Sequence, residues 1–135
     1  MTIEQLDKLH LSPGESVERD VFLVYIMTNK SNKRHYLEFA NDICLLDRSY
    51  IDFVLEAEEP VCEREYIRLS DARRTVNKLK KEFKKRTDGV ILGLGIEKRS
   101  LLFTACTQAY YGTNKPIVIT GKVLDSTDVE YTALN

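Results

Sequence analysis

Eight basic side chains crowd the span from Arg73 to Arg86: Arg73, Arg74, Lys78, Lys80, Lys81, Lys84, Lys85 and Arg86, with one acid, Glu82, among them. On a helix, like charges four residues apart repel, as at Arg74–Lys78, Lys80–Lys84 and Lys81–Lys85, and Glu82 relieves little of this. A segment that retains such a cost suits an anionic partner. Phosphates of nucleic acid are the commonest, because about six contacts to them give salt-sensitive affinity without any reading of sequence. The bland alternative is a solvated helix face, or one paired with the acidic stretch Asp52 to Glu65, which holds six acids and one Arg.

A second candidate for anion chemistry is Gly93-Leu94-Gly95, which follows the apolar run Val90 to Leu92 and precedes a candidate helix. Amides freed by glycine, backed by Lys98 and Arg99 near a helix N-terminus, would cradle a phosphate or pyrophosphate. Position 98 is Lys, so the spacing gives neither GxGxxG nor GxxxxGK[ST]. The turn is similar to the glycine-containing turn that holds the coenzyme A pyrophosphate in acetyltransferases, although the downstream chain is too short for that fold's closing elements. The other reading of the same residues is a strand bent at Gly93 and Gly95. Tyr110 and Tyr111, beside a turn with Lys115, would stack a base or else serve the core.

Catalysis has little to draw on. A nucleophilic Cys or Ser needs a base, and the two histidines, His10 and His35, have no evident partner. The carboxylates Asp52, Glu56, Glu58, Glu59, Glu63 and Glu65 read as a solvated face. No His, Cys or carboxylate cluster has metal-ligand spacing, and no cofactor is implied. Cys44, Cys62 and Cys106 are odd in number and far apart, which fits buried thiols in a reducing compartment and excludes a disulfide framework and a CxxC-type zinc site.

The elements that must position these residues come from a chain of 135 residues, 43% hydrophobic and 30% charged, enough to bury a core in one domain. Acids and bases balance overall but not locally: Met1 to Leu69 has 8 basic and 14 acidic residues, Ser70 to Asn135 has 12 and 7. No segment approaches the roughly 18 apolar residues of a membrane span, and the start lacks a secretory signal, so a cytoplasmic, membrane-free protein is expected. Thr2 to Leu11 reads as a short helix with a capping box. Asp20 to Thr28 is a continuous β-branched and aromatic run, as in a central strand, and Asn29 to Arg34 is turn material before a one-sided strand around Leu37 and Phe39. Asn41 to Glu59 is ambiguous: Ile51, Phe53, Leu55 and Ala57 alternate as in a strand, which is favoured, but Ser49 with Asp52 would cap a helix. Glu65 to Leu69 reads as a short strand. The clearest helix runs from Asp71 to Arg86, N-capped by Ser70 and closed by Gly89, with Ala72, Val76, Leu79 and Phe83 as an apolar stripe. Val90 to Leu94 and Ile117 to Leu124 read as strands, and Ser100 to Tyr111 as helix or strand.

Together these predict a single α+β domain: an arm or short helix over 1–19, then a core over 20–135 in which a mainly antiparallel sheet of five to seven strands is packed by one or two helices. The expected function is binding rather than catalysis: a small regulatory or accessory protein that recognises nucleic acid or a nucleotide through Arg73, Arg74, Lys78, Lys81, Lys84 and Lys85 of the helix and Gly93, Gly95, Lys98 and Arg99 of the turn. The alternatives are an interaction or self-assembling module, such as a homodimer pairing acidic and basic surfaces, and a small nucleotide- or coenzyme-using enzyme.

Overall fold

The computed structural model describes residues 11–59, 62–107 and 117–134. Four strands form one antiparallel sheet in the order β2-β1-β3-β4: β1 (Ser16–Thr28), β2 (Ser31–Tyr36), β3 (Ile91–Thr107) and β4 (Ile117–Ala133). The expected α+β class holds. Among the described residues the strands number four rather than five to seven, because the pieces read as separate strands and a helix after Val90 are a single long antiparallel pair, β3–β4.

The apolar run of β1 lies at the centre of the sheet, as its composition predicts, and its two faces are both covered. Val24 and Ile26 join Leu94 and Ile96 of β3 beneath the helices. Val21 and Leu23 join Leu101 and Phe103 on the opposite, curled face. β2 departs from expectation. The reversal is confined to Asn29 and Lys30, and the polar run Ser31 to Tyr36 is itself the strand. Leu37 is buried beyond its end while Phe39 is exposed.

Between β2 and β3 come a single helical turn, Asp42–Leu45, and two helices, α1 (Arg48–Glu56) and α2 (Leu69–Phe83). The strand expected around Ile51 is therefore α1. Asp47, not Ser49, caps it: its carboxylate accepts from the Ser49 amide at 2.7 Å. Ile51 and Val54, one turn apart, face the core, and Phe53, a member of the apparent alternation, points to solvent. The short strand expected from Glu65 to Leu69 reduces to one bridge, in which Tyr66 exchanges backbone hydrogen bonds with Phe22 of β1.

The helix α2 starts two residues before the predicted Asp71. Arg68 occupies the cap without a side-chain bond, and its carbonyl accepts from Asp71 and Ala72, so Ser70 lies inside the first turn. Leu69 packs on the core, and that burial selects the earlier start. The predicted stripe is the buried one: Ala72, Val76, Leu79 and Phe83, with Thr75 beside it. Gly89 has the expected positive φ of 67°, but it serves the approach to β3, beyond the helix end at Lys84. The helix expected over Thr2 to Leu11 lies, except for Leu11, outside the described residues.

Candidate anion-binding surface

With Ala72, Val76, Leu79 and Phe83 held against the sheet, helical geometry turns Arg74, Lys78 and Lys81 to the opposite side, at successive spacings of four and three, and Lys85 follows in the turn just past the helix end. All four are exposed. Lys84 flanks them in the open, and Lys80 is half-buried. From Arg74 to Lys84 the row extends about 15 Å at 1.5 Å per residue.

The cations of this segment divide by partner. Arg73 meets Glu130 of β4 at 3.2 Å, Arg74 meets Asp71 at 3.8 Å, and Lys85 meets Glu82 at 3.1 Å. Arg86 is tied down twice, to Asp52 at 3.1 Å and Asp88 at 3.0 Å, and so joins the acidic stretch to the basic segment. Lys78, Lys80, Lys81 and Lys84 have no ion pair among the described residues. The acidic stretch therefore leaves the basic row largely uncompensated; Glu56, Glu58 and Glu59 are themselves exposed.

At the N-terminal end of the row, Arg64, Tyr66, Asp71, Arg74, Thr75 and Lys78 line a cleft of about 200 Å³. Its wall is rigid. Arg64 donates to the Ala40 carbonyl and stacks over the Tyr66 ring with 5.0 Å between guanidinium and centroid, while Thr75 donates to the Tyr66 phenol at 2.9 Å inside the protein. Three cations against one carboxylate give the cleft an excess of positive charge.

The glycine cradle is not formed. Gly93 and Gly95 lie mid-strand in β3, with no turn and no helix N-terminus after them. A Cβ at Gly95 would collide with Cζ of Tyr25, and one at Gly93 with the Tyr131 phenol oxygen, so both glycines make room for tyrosines of neighbouring strands. Lys98 and Arg99 point to opposite faces. Lys98 lies 4.0 Å from Asp20, and Arg99 is engaged with two carboxylates. The likeness to the acetyltransferase turn falls with the turn itself. Tyr110 and Tyr111, like His10, lie outside the described residues.

Sequence reasoning missed the cluster that takes up Arg99. On the curled face Glu97, 5% exposed, accepts from Arg34 at 2.6 Å, the Tyr36 phenol at 2.8 Å and Arg99 at 2.7 Å. Arg34 also grips Asp128 with both terminal nitrogens, at 2.7 and 2.8 Å, and lies 4.2 Å from the centroid of Tyr25; Arg99 reaches Glu63 at 2.5 Å. Burial disfavours the Glu97 charge, but the bonds from Tyr36 and Arg99 outweigh it and hold the carboxyl below its ordinary value. With both guanidinium groups engaged by carboxylates, the cluster locks β2, β3 and β4 together and leaves neither Arg34 nor Arg99 free for an anion. Its signal in the sequence is the period-two placement Arg34-x-Tyr36 and Glu97-x-Arg99.

Half-buried Cys44 and exposed Cys62 are both free thiols, and the exposure of Cys62 departs from the expected burial. Among the described residues no group of three His, Cys, Asp or Glu is placed to hold a metal, and no helix is long and apolar enough to cross a membrane. The chain matches no protein-family model, no curated protein sequence and no solved structure, so any functional reading rests on the residues just described.

Proposed function

We propose that this protein is a binding module for a phosphate-bearing polyanion, with nucleic acid as its ligand class, engaged by the outward face of α2 without reading base sequence. One observation carries the reading: Lys78, Lys80, Lys81 and Lys84, spread from the outward face of α2 to its flank, have no ion pair among the described residues, in a molecule whose arginines at 34, 73, 86 and 99 are paired. Paired arginines hold the fold together. Clustered lysines destabilise their own helix and have no internal role to offset that cost. As compact, hydrated charges on flexible stems they suit a backbone of repeating phosphates better than a single fixed ligand. Arg64, Arg74 and Lys78 around the adjoining cleft extend the positive surface past the N-terminal half of the helix.

The test is titration of fluorescent single- and double-stranded oligonucleotides of unrelated sequence over a range of salt. Wild-type protein binds them with similar affinity and a steep salt dependence. Replacing Lys80, Lys81, Lys84 and Lys85 together with Gln weakens binding uniformly and lowers the log–log salt slope by about one for each phosphate no longer neutralised. Absence of binding, or an unchanged slope in the variant, overturns the reading. If the variant instead dissolves a salt-sensitive oligomer, the anion met by α2 is the carboxylate face of a second copy, Glu56, Glu58 and Glu59.

A further inference from the structure

The strand β4 has one neighbour in the sheet, β3, and from Thr120 to Asp128 every residue is exposed. At its middle stand Val123 and Leu124, 52% and 45% exposed. The two ends of this stretch differ in support. Asp128 is clamped by Arg34, and Glu130 is held by Arg73, whereas among the described residues no side chain outside β4 pairs with Lys122 or Asp125. An edge strand directs every second N–H and C=O away from its sheet, and natural edges of this length are kept from pairing by proline, by charges, lysine above all, by bulges or by a covering element; β4 carries a lysine, Lys122, and a bulge, and any pairing through this edge must accommodate both. Proline is absent from Thr120 to Asp128, and the charges there are arranged to complement one another.

We infer that β4 pairs edge to edge with β4 of a second copy of this chain, antiparallel about a two-fold axis at Val123–Leu124, so that two four-stranded sheets become one of eight strands. In that register Lys122 falls opposite Asp125 of the partner subunit, and Asp125 falls opposite Lys122 of the partner subunit. The pairing requires both side chains on one face, although residues three apart in a regular strand point to opposite faces. The register of β4 against β3 supplies the correction: Leu101 pairs with Val123 while Ser100 pairs with Asp125, so Leu124 is an extra, bulged residue. Lys122 and Asp125 thereby share the face of their β3 partners Leu102 and Ser100. A two-fold axis perpendicular to the sheet keeps faces together, so the opposite charges meet twice while Val123 and Leu124 cover their counterparts at the axis. A second copy fits better than an unrelated strand because the segment carries its own complement, one Lys before the centre and one Asp after it.

The surface is distinct from α2, and the test is separate from that of ligand binding. Sedimentation velocity over a concentration series reads the monomer–dimer equilibrium of the wild type, Lys122→Asp, Asp125→Lys and the double exchange. The wild type dimerises. Each single variant opposes like charges twice and weakens the dimer at least about tenfold, and the double exchange restores it. Amide exchange in β4 from Thr120 to Thr127, measured on unaltered protein, slows as concentration rises. A wild type that stays monomeric, a dimer indifferent to both single variants, or a double exchange that fails to recover overturns the proposal.

Discussion

Gly95 is placed by a neighbour rather than by its own backbone. The Tyr25 ring lies where its Cβ would be, and that ring is confined by Arg34 at 4.2 Å and by Tyr36 in an edge contact at 6.1 Å. Because Tyr25 is only 3% exposed, it has nowhere to swing, and Gly95→Ala costs about 1–3 kcal/mol in denaturant melts. Tyr25→Ala in the same background frees the space, so the two changes are non-additive, which a double-mutant cycle reads directly. The residue types on this face are visible in the sequence, but their partners are not. Tyr36 finds Glu97 across 61 positions and Arg34 finds Asp128 across 94, distances over which no local pattern extends. Arg99 therefore reads as a phosphate ligand in the sequence, although its charge is consumed inside the fold.

At the scale of elements, α2 is legible in the sequence and α1 is not, for a physical reason. In α2 the apolar residues recur at helical spacing with charges everywhere else, and the buried set is the predicted one. Leu79, fully buried, costs about 2–5 kcal/mol when cut to Ala, whereas Lys81→Ala stays within about 0.5 kcal/mol or stabilises by relieving repulsion; thermal melts of both variants check the orientation of the helix. In α1 the period-two sequence around Ile51 and Phe53 is accidental. The cap at Asp47 and the burial of Ile51 and Val54 decide the matter, and Phe53 is left outside. The same limit explains β3. Its glycines resemble a chain reversal because the tyrosines that pack over them come from β1 and β4.

For the whole molecule, the near-zero net charge conceals a division of labour. Arginines and carboxylates from distant segments neutralise one another within the fold, while lysines are left on one helix face. The class of the fold is readable from composition and periodicity, but the number of strands is not, because β3 continues through Glu97 and Arg99, whose partners are remote in sequence, and β4 through polar residues that meet solvent. The paired carboxylates also set the response of the whole fold to acid. Glu97, Asp88 and Asp128 are all held below their ordinary values, Asp88 by Arg86 and Asp128 by Arg34. The unfolded chain therefore takes up protons first, so their stabilisation is complete above the ordinary carboxylate range near pH 4 and is lost as pH falls through the lower folded values. Glu97→Gln lowers stability at neutral pH by about 1–3 kcal/mol, because Arg34 and Arg99 each lose one of two counter-charges and keep the other, Asp128 and Glu63, and it flattens the acid limb of the stability curve. Urea titrations between pH 2 and 7 on both proteins measure this.

The central position of β1 has a consequence for how the chain is made. Its hairpin partner β2 follows at once, but its other edge waits for β3, with Ser16 opposite Thr104, 88 residues later. During synthesis the most apolar strand leaves the ribosome with one flank bare, while both helices emerge before the surface they are to cover is complete. Loop closure of that length is slow relative to the local β3–β4 hairpin. The β3 partners of Val21 to Ile26 are Leu94 to Arg99, so a chain that stops before Ile91 lacks every one of them and leaves that flank of β1 open to a chaperone or a neighbouring chain.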